Sequence, residues 1–190
     1  INKKKEIEID EKNHLSLNIN IDKKNILIDI IDTGKNTGTG GRIKKAYKKL
    51  SLNEDFITTY GDGLSNVSIK KLVKFHYDNN STLTLTAVRP KQRYGILKMS
   101  RDKVNYFDNS KKKSDVYING GFFVLSKNVI NLIKDNNIYL ENEPFRNIIK
   151  KKKLCAYKHD GFWASMDTLK DKVDLDKIAK KNKKLPWGVN

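Results

Sequence analysis

Phe56-Ile-Thr-Thr-Tyr60-Gly61-Asp62-Gly63 is the stretch on which the fold turns. A short run of strand-forming residues stops abruptly at Gly-Asp-Gly. An α/β sheet presents a carboxylate in this way at the carboxyl end of a strand, where such sheets bind ligands. A second aspartate, Asp167, stands in Gly161-Phe-Trp-Ala-Ser-Met-Asp167-Thr168. If the fold joins the two, they form a hard-oxygen site suited to magnesium and phosphates. Each also has a plainer reading. Asp62 suits an ordinary turn, and Asp167 suits the start of the helix that follows it.

Working outward, strands and helices alternate. Residues 6–22 alternate with period two, and residues 26–31 form a more continuous apolar strand. After a Gly/Thr/Asn loop, Ile43, Ala46, Tyr47 and Leu50 recur at helical spacing. Ser68 is placed to cap a helix carrying Ile69, Leu72, Val73 and His76. Residues 81–88 alternate cleanly and end at Arg89-Pro90. Residues 94–99 and 104–107 read as two more strands, and 116–125 as a strand interrupted by Gly120-Gly121. Helices follow at 128–134 and 144–150, then a strand at 154–158 and a helix from about Met166. No linker or internal repeat divides the chain, so the expectation is one α/β domain over residues 1–190.

The formal net charge is +17, but only five of the 39 basic residues are arginine. The lysines are scattered, apart from 111–113 and 150–153, and accompany abundant Asn and Ile. A/T-rich codons explain that bias without a polyanion partner, so no nucleic-acid partner is expected. The positive field still favours capture of nucleotide and sugar phosphates. A single cysteine, Cys155, forms no internal disulfide and reads as buried and inert; with three histidines it makes a zinc site improbable. No apolar run reaches membrane-spanning length, so no membrane partner is expected, and a cytoplasmic setting is the default.

Two further segments carry chemistry. The loop 33–41 holds four glycines before a helix, a setting in which backbone N–H groups can meet a phosphate or base edge. Its spacing matches neither the P-loop nor the dinucleotide fingerprint. Arg42 follows directly and can fork onto phosphate or base; an exposed helix arginine is the equal alternative. In Asn119-Gly120-Gly121-Phe122, two glycines weaken a strong strand. A bulge or a close ligand approach would explain them, with Asn119 offering donor and acceptor to a hydroxyl. Phe162-Trp163 reads as core or as a pocket wall.

Taken together, Thr39-Gly-Gly-Arg42, Tyr60-Gly-Asp-Gly63, Arg93-Tyr-Gly95, Ile118-Asn-Gly-Gly-Phe-Phe123, Gly161-Phe-Trp163 and Met166-Asp-Thr-Leu-Lys-Asp-Lys172 resemble the sugar-1-phosphate nucleotidyltransferases, most of all the cytidylyltransferase branch. Order and spacing agree from about Asp32 to Trp187. The resemblance implies a Rossmann-like fold, a mixed and mostly parallel sheet flanked by helices. It implies transfer from CTP to a sugar 1-phosphate, glucose 1-phosphate first, with release of pyrophosphate. Asp62 and Asp167 would be the catalytic magnesium ligands, with Asp62 also on the nucleotide. Gly40, Gly41 and Arg42 would lie along the nucleotide; Gly95, Asn119 and Gly120 would approach the sugar. CTP and the sugar 1-phosphate are the implied partners, and a homo-oligomer is compatible. A non-catalytic nucleotide-sugar-binding relative and a metal-dependent glycosyltransferase are the alternatives.

Two departures accompany the resemblance. The family's opening strand and Gly-Gly-x-Gly-Thr-Arg loop, which grips the triphosphate, have no counterpart here. Its first strand–loop–helix units are therefore expected to be missing, and the 190 residues alone to be inactive. The family's Glu-Lys-Pro before Asn-Gly-Gly is replaced, without gaps, by Asn109-Ser110-Lys111. Lys111 would stand in for the family lysine only if the loop shifts. Without the family's first strand, a groove is expected beside residues 56–60 instead of a continuous central sheet.

Overall fold

A computed structural model describes residues 6–10, 14–21, 24–90, 94–108, 110, 116–182 and 184–188. Arg93, Asn109 and Lys111 lie outside the described residues. The elements in chain order are β1 (Glu6–Asp10), β2 (His14–Ile21), β3 (Lys24–Ile31), α1 (Thr39–Lys49), β4 (Phe56–Thr59), β5 (Gly63–Ser65), α2 (Ile69–Asp78), β6 (Leu83–Val88), β7 (Ile96–Ser100), β8 (Lys103–Asp108), β9 (Ile118–Leu125), α3 (Glu143–Lys150), β10 (Leu154–His159), β11 (Trp163–Ser165) and α4 (Leu169–Lys181). The helix expected at 128–134 is a 3-10 turn, Lys127–Leu132. The last helix starts at Leu169, three residues later than its apolar pattern suggests.

Two compact units form, each discontinuous in sequence. The first comprises residues 1–53 and 130–146, the second 54–129 and 147–190.

In the first unit, β1, β2 and β3 make an antiparallel meander. Ser16 sits opposite Asp29 across β2 and β3 and donates to its Oδ1 at 2.6 Å, while His14 Nε2 lies 2.8 Å from the same oxygen. These contacts, Ser16 first and His14 second, hold the Asp29 carboxyl below its ordinary range. The start of α1 packs against residues 136–141. Thr39 Oγ1 donates to Glu141 Oε2 at 2.8 Å and accepts from the Leu140 N–H at 2.9 Å. The Gly41 N–H donates to the Ile138 carbonyl at 3.2 Å. A Cβ on Gly41 would lie 1.9 Å from the Asn136 oxygen, and one on Gly40 would lie 2.9 Å from the Ile138 oxygen. Only glycine permits this approach.

In the second unit, a four-stranded sheet runs in the order β10-β6-β9-β4. β10 pairs parallel with β6, whereas β9 runs antiparallel to both β6 and β4. The class is mixed α/β, as expected. Parallel pairing accounts for one of these three junctions, fewer than anticipated, because β9 enters between β6 and β4 in the opposite sense. The sheet ends at β4 as expected: among the described residues β4 pairs with β9 alone, and Ile57 on it is 47% exposed. Helix α2 packs on β6, β9 and β10. Ser68 caps it, accepting from the Lys71 N–H at 3.3 Å, and Leu72 and His76, one turn apart, are buried. Leu83, Val88, Phe123, Val124 and Leu125 of the sheet are also buried. Cys155, expected to be buried, is half-buried on the edge strand β10.

His76 is 1% exposed, against the β6 face that carries Thr84. Ser126 donates its hydroxyl to the Ser81 carbonyl and so accepts from His76 Nε2–H at 3.2 Å. Nδ1 then accepts from Thr84 Oγ1 at 2.9 Å. Burial holds this imidazole below its ordinary value of 6.5, so the folded ring is neutral. On acidification the unfolded chain binds the proton first. The stability contributed is full above about 6.5 and is lost as pH falls toward the folded-state value. Urea midpoints are therefore expected to be lower near pH ~5.5 than near pH ~7.5, with a flatter profile for His76→Gln. Gly41→Ala is expected to destabilise by roughly 1–3 kcal/mol or more in the same measurement. Gly61, with nothing within 4 Å of an added Cβ, is expected to accept alanine within about 0.5 kcal/mol.

Candidate functional site

The strand directions of the second unit gather the sequence-predicted residues at one edge. The carboxyl ends of β4, β6 and β10 point the same way, and antiparallel β9 begins there. The register fixes this: Val88 at the end of β6 faces both His159 of β10 and Ile118 of β9, and Thr59 at the end of β4 faces Phe122. Tyr60, Asp62, Asn119 and Gly120 therefore belong to one end of the sheet, the end where α/β proteins place ligands.

Asp62 lies just before β5, and Asp167 lies just after β11. These two three-residue strands pair antiparallel, with Gly63 opposite Ser165 and Ser65 opposite Trp163. The Met166 N–H donates to the Asp62 carbonyl at 3.0 Å, so the backbones bearing the two aspartates are hydrogen-bonded neighbours. Both residues are exposed. Ser165 Oγ donates to Asp167 Oδ2 at 2.7 Å. The capping alternative for Asp167 is not what the chain uses. Thr168 caps α4 and forms a capping box with Asp171.

The donors suit a hard cation. They are two exposed carboxylates flanking a pair of adjoining strands, one oriented by a hydroxyl. No group of three or more His, Cys, Asp and Glu residues converges among the described residues. Magnesium accepts such a set, taking one or two carboxylates and completing its shell with phosphate oxygens and water.

Asn119-Gly120-Gly121 forms a bulge. Between Leu85↔Phe123 and Ala87↔Asn119, β9 advances four residues while β6 advances two. Gly121 has φ +78°, and a Cβ on it would lie 2.7 Å from the Tyr60 ring. A Cβ on Gly120 would lie 2.9 Å from Val88 Cγ1 and 3.0 Å from the Thr86 carbonyl oxygen. Asn119 Oδ1 accepts from the Gly121 N–H at 2.9 Å, and its Nδ2 donates to Tyr60 Oη at 3.3 Å. Protein neighbours thus account for both glycines, and Asn119 braces the bulge from within. Trp163, readable in sequence only as core or wall, donates its indole N–H to the Gly120 carbonyl at 2.8 Å. Gly95 lies before the β7–β8 hairpin, and a Cβ on it would lie 2.3 Å from the Phe107 ring.

Asn66 is a residue that sequence reasoning missed. Its Oδ1 accepts from the Phe162 N–H at 2.8 Å and lies 3.0 Å from His159 Nε2, holding the turn that leads into β11. Asn one residue past a short strand was the available signal, and it is a common one.

In the first unit, Gly40 and Gly41 are buried beneath residues 136–140. The helix-start N–H of Gly41 is committed to Ile138, not held open for a phosphate. Arg42 is the member of the trio that reaches a pocket, one of about 520 Å³ whose lining includes Lys35, Thr37, Asn137 and Tyr139. The guanidinium is preset by its own loop, donating to Thr33 Oγ1 at 2.7 Å and to the Lys35 carbonyl at 3.3 Å.

No protein-family model matches the chain. Over 160 residues it is 39% identical to the glucose-1-phosphate cytidylyltransferase of Salmonella typhi, covering 84% of this chain and 62% of that protein. It is 28% identical over 160 residues to the mannose-1-phosphate guanyltransferase of Pichia angusta, covering 78% of this chain and 44% of that one. Among solved structures, HddC from Yersinia pseudotuberculosis superposes with a TM-score of 0.54 at 25% identity, covering 76% of this chain and 63% of that chain. The same protein complexed with GMP-PN gives 0.53. The chain thus spans just under two thirds of the Salmonella relative's length. Sequence likeness over most of these residues, together with the shared fold, places the chain in the sugar-1-phosphate nucleotidyltransferase family.

Proposed function

We propose that the protein containing these residues transfers a cytidylyl group from CTP to a sugar 1-phosphate, glucose 1-phosphate first, and releases pyrophosphate. The observation that carries this reading is the pairing of β5 with β11, which makes the Asp62 and Asp167 segments hydrogen-bonded neighbours. The cytosine base is supported by the higher identity to cytidylyltransferases than to guanyltransferases. No helix among the described residues is long and apolar enough to cross a membrane. A cytoplasmic setting, in which sugar phosphates are available, fits the single cysteine.

In this reading Asp62 and Asp167 hold magnesium, and Ser165 orients the Asp167 carboxylate. Magnesium, when bound, offsets the phosphate charge and polarises the α-phosphorus. Arg42 contacts the nucleotide from its pocket, with Gly40 and Gly41 setting the position of its helix. The bulge at Asn119-Gly120 and the turn at Gly95 shape the sugar end. An oxygen of the sugar phosphate attacks the α-phosphorus in line, a new P–O bond forms, and the bond to pyrophosphate breaks. The protein's task is orientation and charge stabilisation, with no covalent intermediate on the chain.

The test is pyrophosphate release from CTP and glucose 1-phosphate by the complete protein. Turnover is expected, and Asp62→Asn and Asp167→Asn should each lower kcat by roughly 10²-fold or more. CDP-sugar binding without turnover would instead identify a non-catalytic relative. Sugar transfer from a nucleotide sugar would identify a glycosyltransferase.

A further inference from the structure

The β5–β11 ribbon is a weak platform for two carboxylates. It has two strands of three residues each, and the strand order places it outside the four-stranded sheet. An isolated two-stranded pair of this length is marginal in water. A fixed separation between Asp62 and Asp167 therefore needs support from the larger sheet.

That support has a specific form. Trp163 and Ser165 are two residues apart on β11, so their side chains share a face, and Gly63 lies on that face opposite Ser165. A Cβ on Gly63 would lie 3.8 Å from the Phe122 ring, so this face looks toward β9. From it the Trp163 indole donates to the Gly120 carbonyl at 2.8 Å. The carbonyl is within reach because β9 bulges there, with Gly121 at φ +78°. The seat excludes side chains: a Cβ on Gly120 would lie 2.9 Å from Val88 Cγ1 and 3.0 Å from the Thr86 carbonyl oxygen. Gly120 is required by Val88 and Thr86, and Gly121 by its positive φ and the Tyr60 ring, and together they leave the Gly120 carbonyl open to the indole.

Resting on the reading that Asp62 and Asp167 hold a divalent cation, we infer that Trp163 is a positioning residue, its indole N–H clamping the aspartate-bearing ribbon to the Gly120 bulge. It acts through Ser165 and the backbone of β11, which leads directly to Asp167. Groups that orient metal ligands in this indirect way typically alter metal affinity by 10–100-fold.

The experiment is Mn²⁺ titration of the complete protein followed by electron paramagnetic resonance of the free ion. The parent is expected to bind one Mn²⁺, and Asp62→Asn to lose it. Trp163→Phe keeps an aromatic ring and removes the N–H; its Kd for Mn²⁺ should rise about 10-fold or more, with Tm within a few degrees of the parent. A sulphur isostere of tryptophan at 163, which keeps the bicyclic shape and lacks only the donor, should reproduce that rise. It decides the matter should the phenylalanine variant fail to fold. Binding that is indifferent to Asp62→Asn would remove the cation reading, and the inference with it. Binding that needs Asp62 and is unchanged, within twofold, in a folded Trp163 variant overturns the positioning role alone.

Discussion

The antiparallel entry of β9 between β4 and β6 is the constraint on which the site depends. A strand parallel to its neighbours would have carried Asn119 and the glycines to the opposite end of the sheet, away from the carboxyl ends of β4, β6 and β10. Because β9 starts where the others finish, four separate segments meet at one edge: the turn after β4, the start of β9, the end of β10 and the turn into β11. The bulge within β9 follows from the same position. It lies where pairing with β6 loosens, and the freed carbonyl of Gly120 finds a donor in Trp163 instead of a strand partner.

Much of this was legible in the residues because the signals were local. A strand ending at Gly61-Asp62-Gly63, a helix begun by Ser68, a strand stopped by Arg89-Pro90 and a disturbance at Gly120-Gly121 each rest on backbone preferences that act within a few positions. What remained unread is non-local. Gly40 and Gly41 look like an open phosphate loop until residues 136–140 are seen lying against them. Asp167 looks like a cap because it precedes a helix, yet Thr168 one position later takes that role with Asp171. A one-residue shift in a cap leaves almost no trace in composition, but it decides whether a carboxylate serves a helix or faces solvent. Trp163 carried no polar signal because an indole reads as hydrophobic, and its single N–H gains meaning only from a carbonyl 43 positions earlier.

The polar groups of the core show a comparable economy. His76, Thr84, Ser126 and the Ser81 carbonyl form one buried chain in which each hydroxyl has a defined direction. It joins α2 to β6 and to the end of β9, with more directional demand than the surrounding leucines impose. A neutral ring with one donor and one acceptor suits that chain; a lysine or a leucine of similar bulk would leave hydroxyls without partners.

The start of α1 also has a history in time. Thr39 and its partner Glu141 are separated by 102 positions. During synthesis, at roughly 5–20 residues per second, the first turn of this helix leaves the ribosome several seconds before the segment that packs on it. Until then Gly40 and Gly41 have backbone with no side chains to shelter it, in residues that are poor helix formers on their own. The first unit therefore closes late, after residues 54–129 of the second unit have been made and the entropy of closing across them met. A nascent chain halted between these two segments would hold the meander and a frayed helix, a natural point for a chaperone to engage.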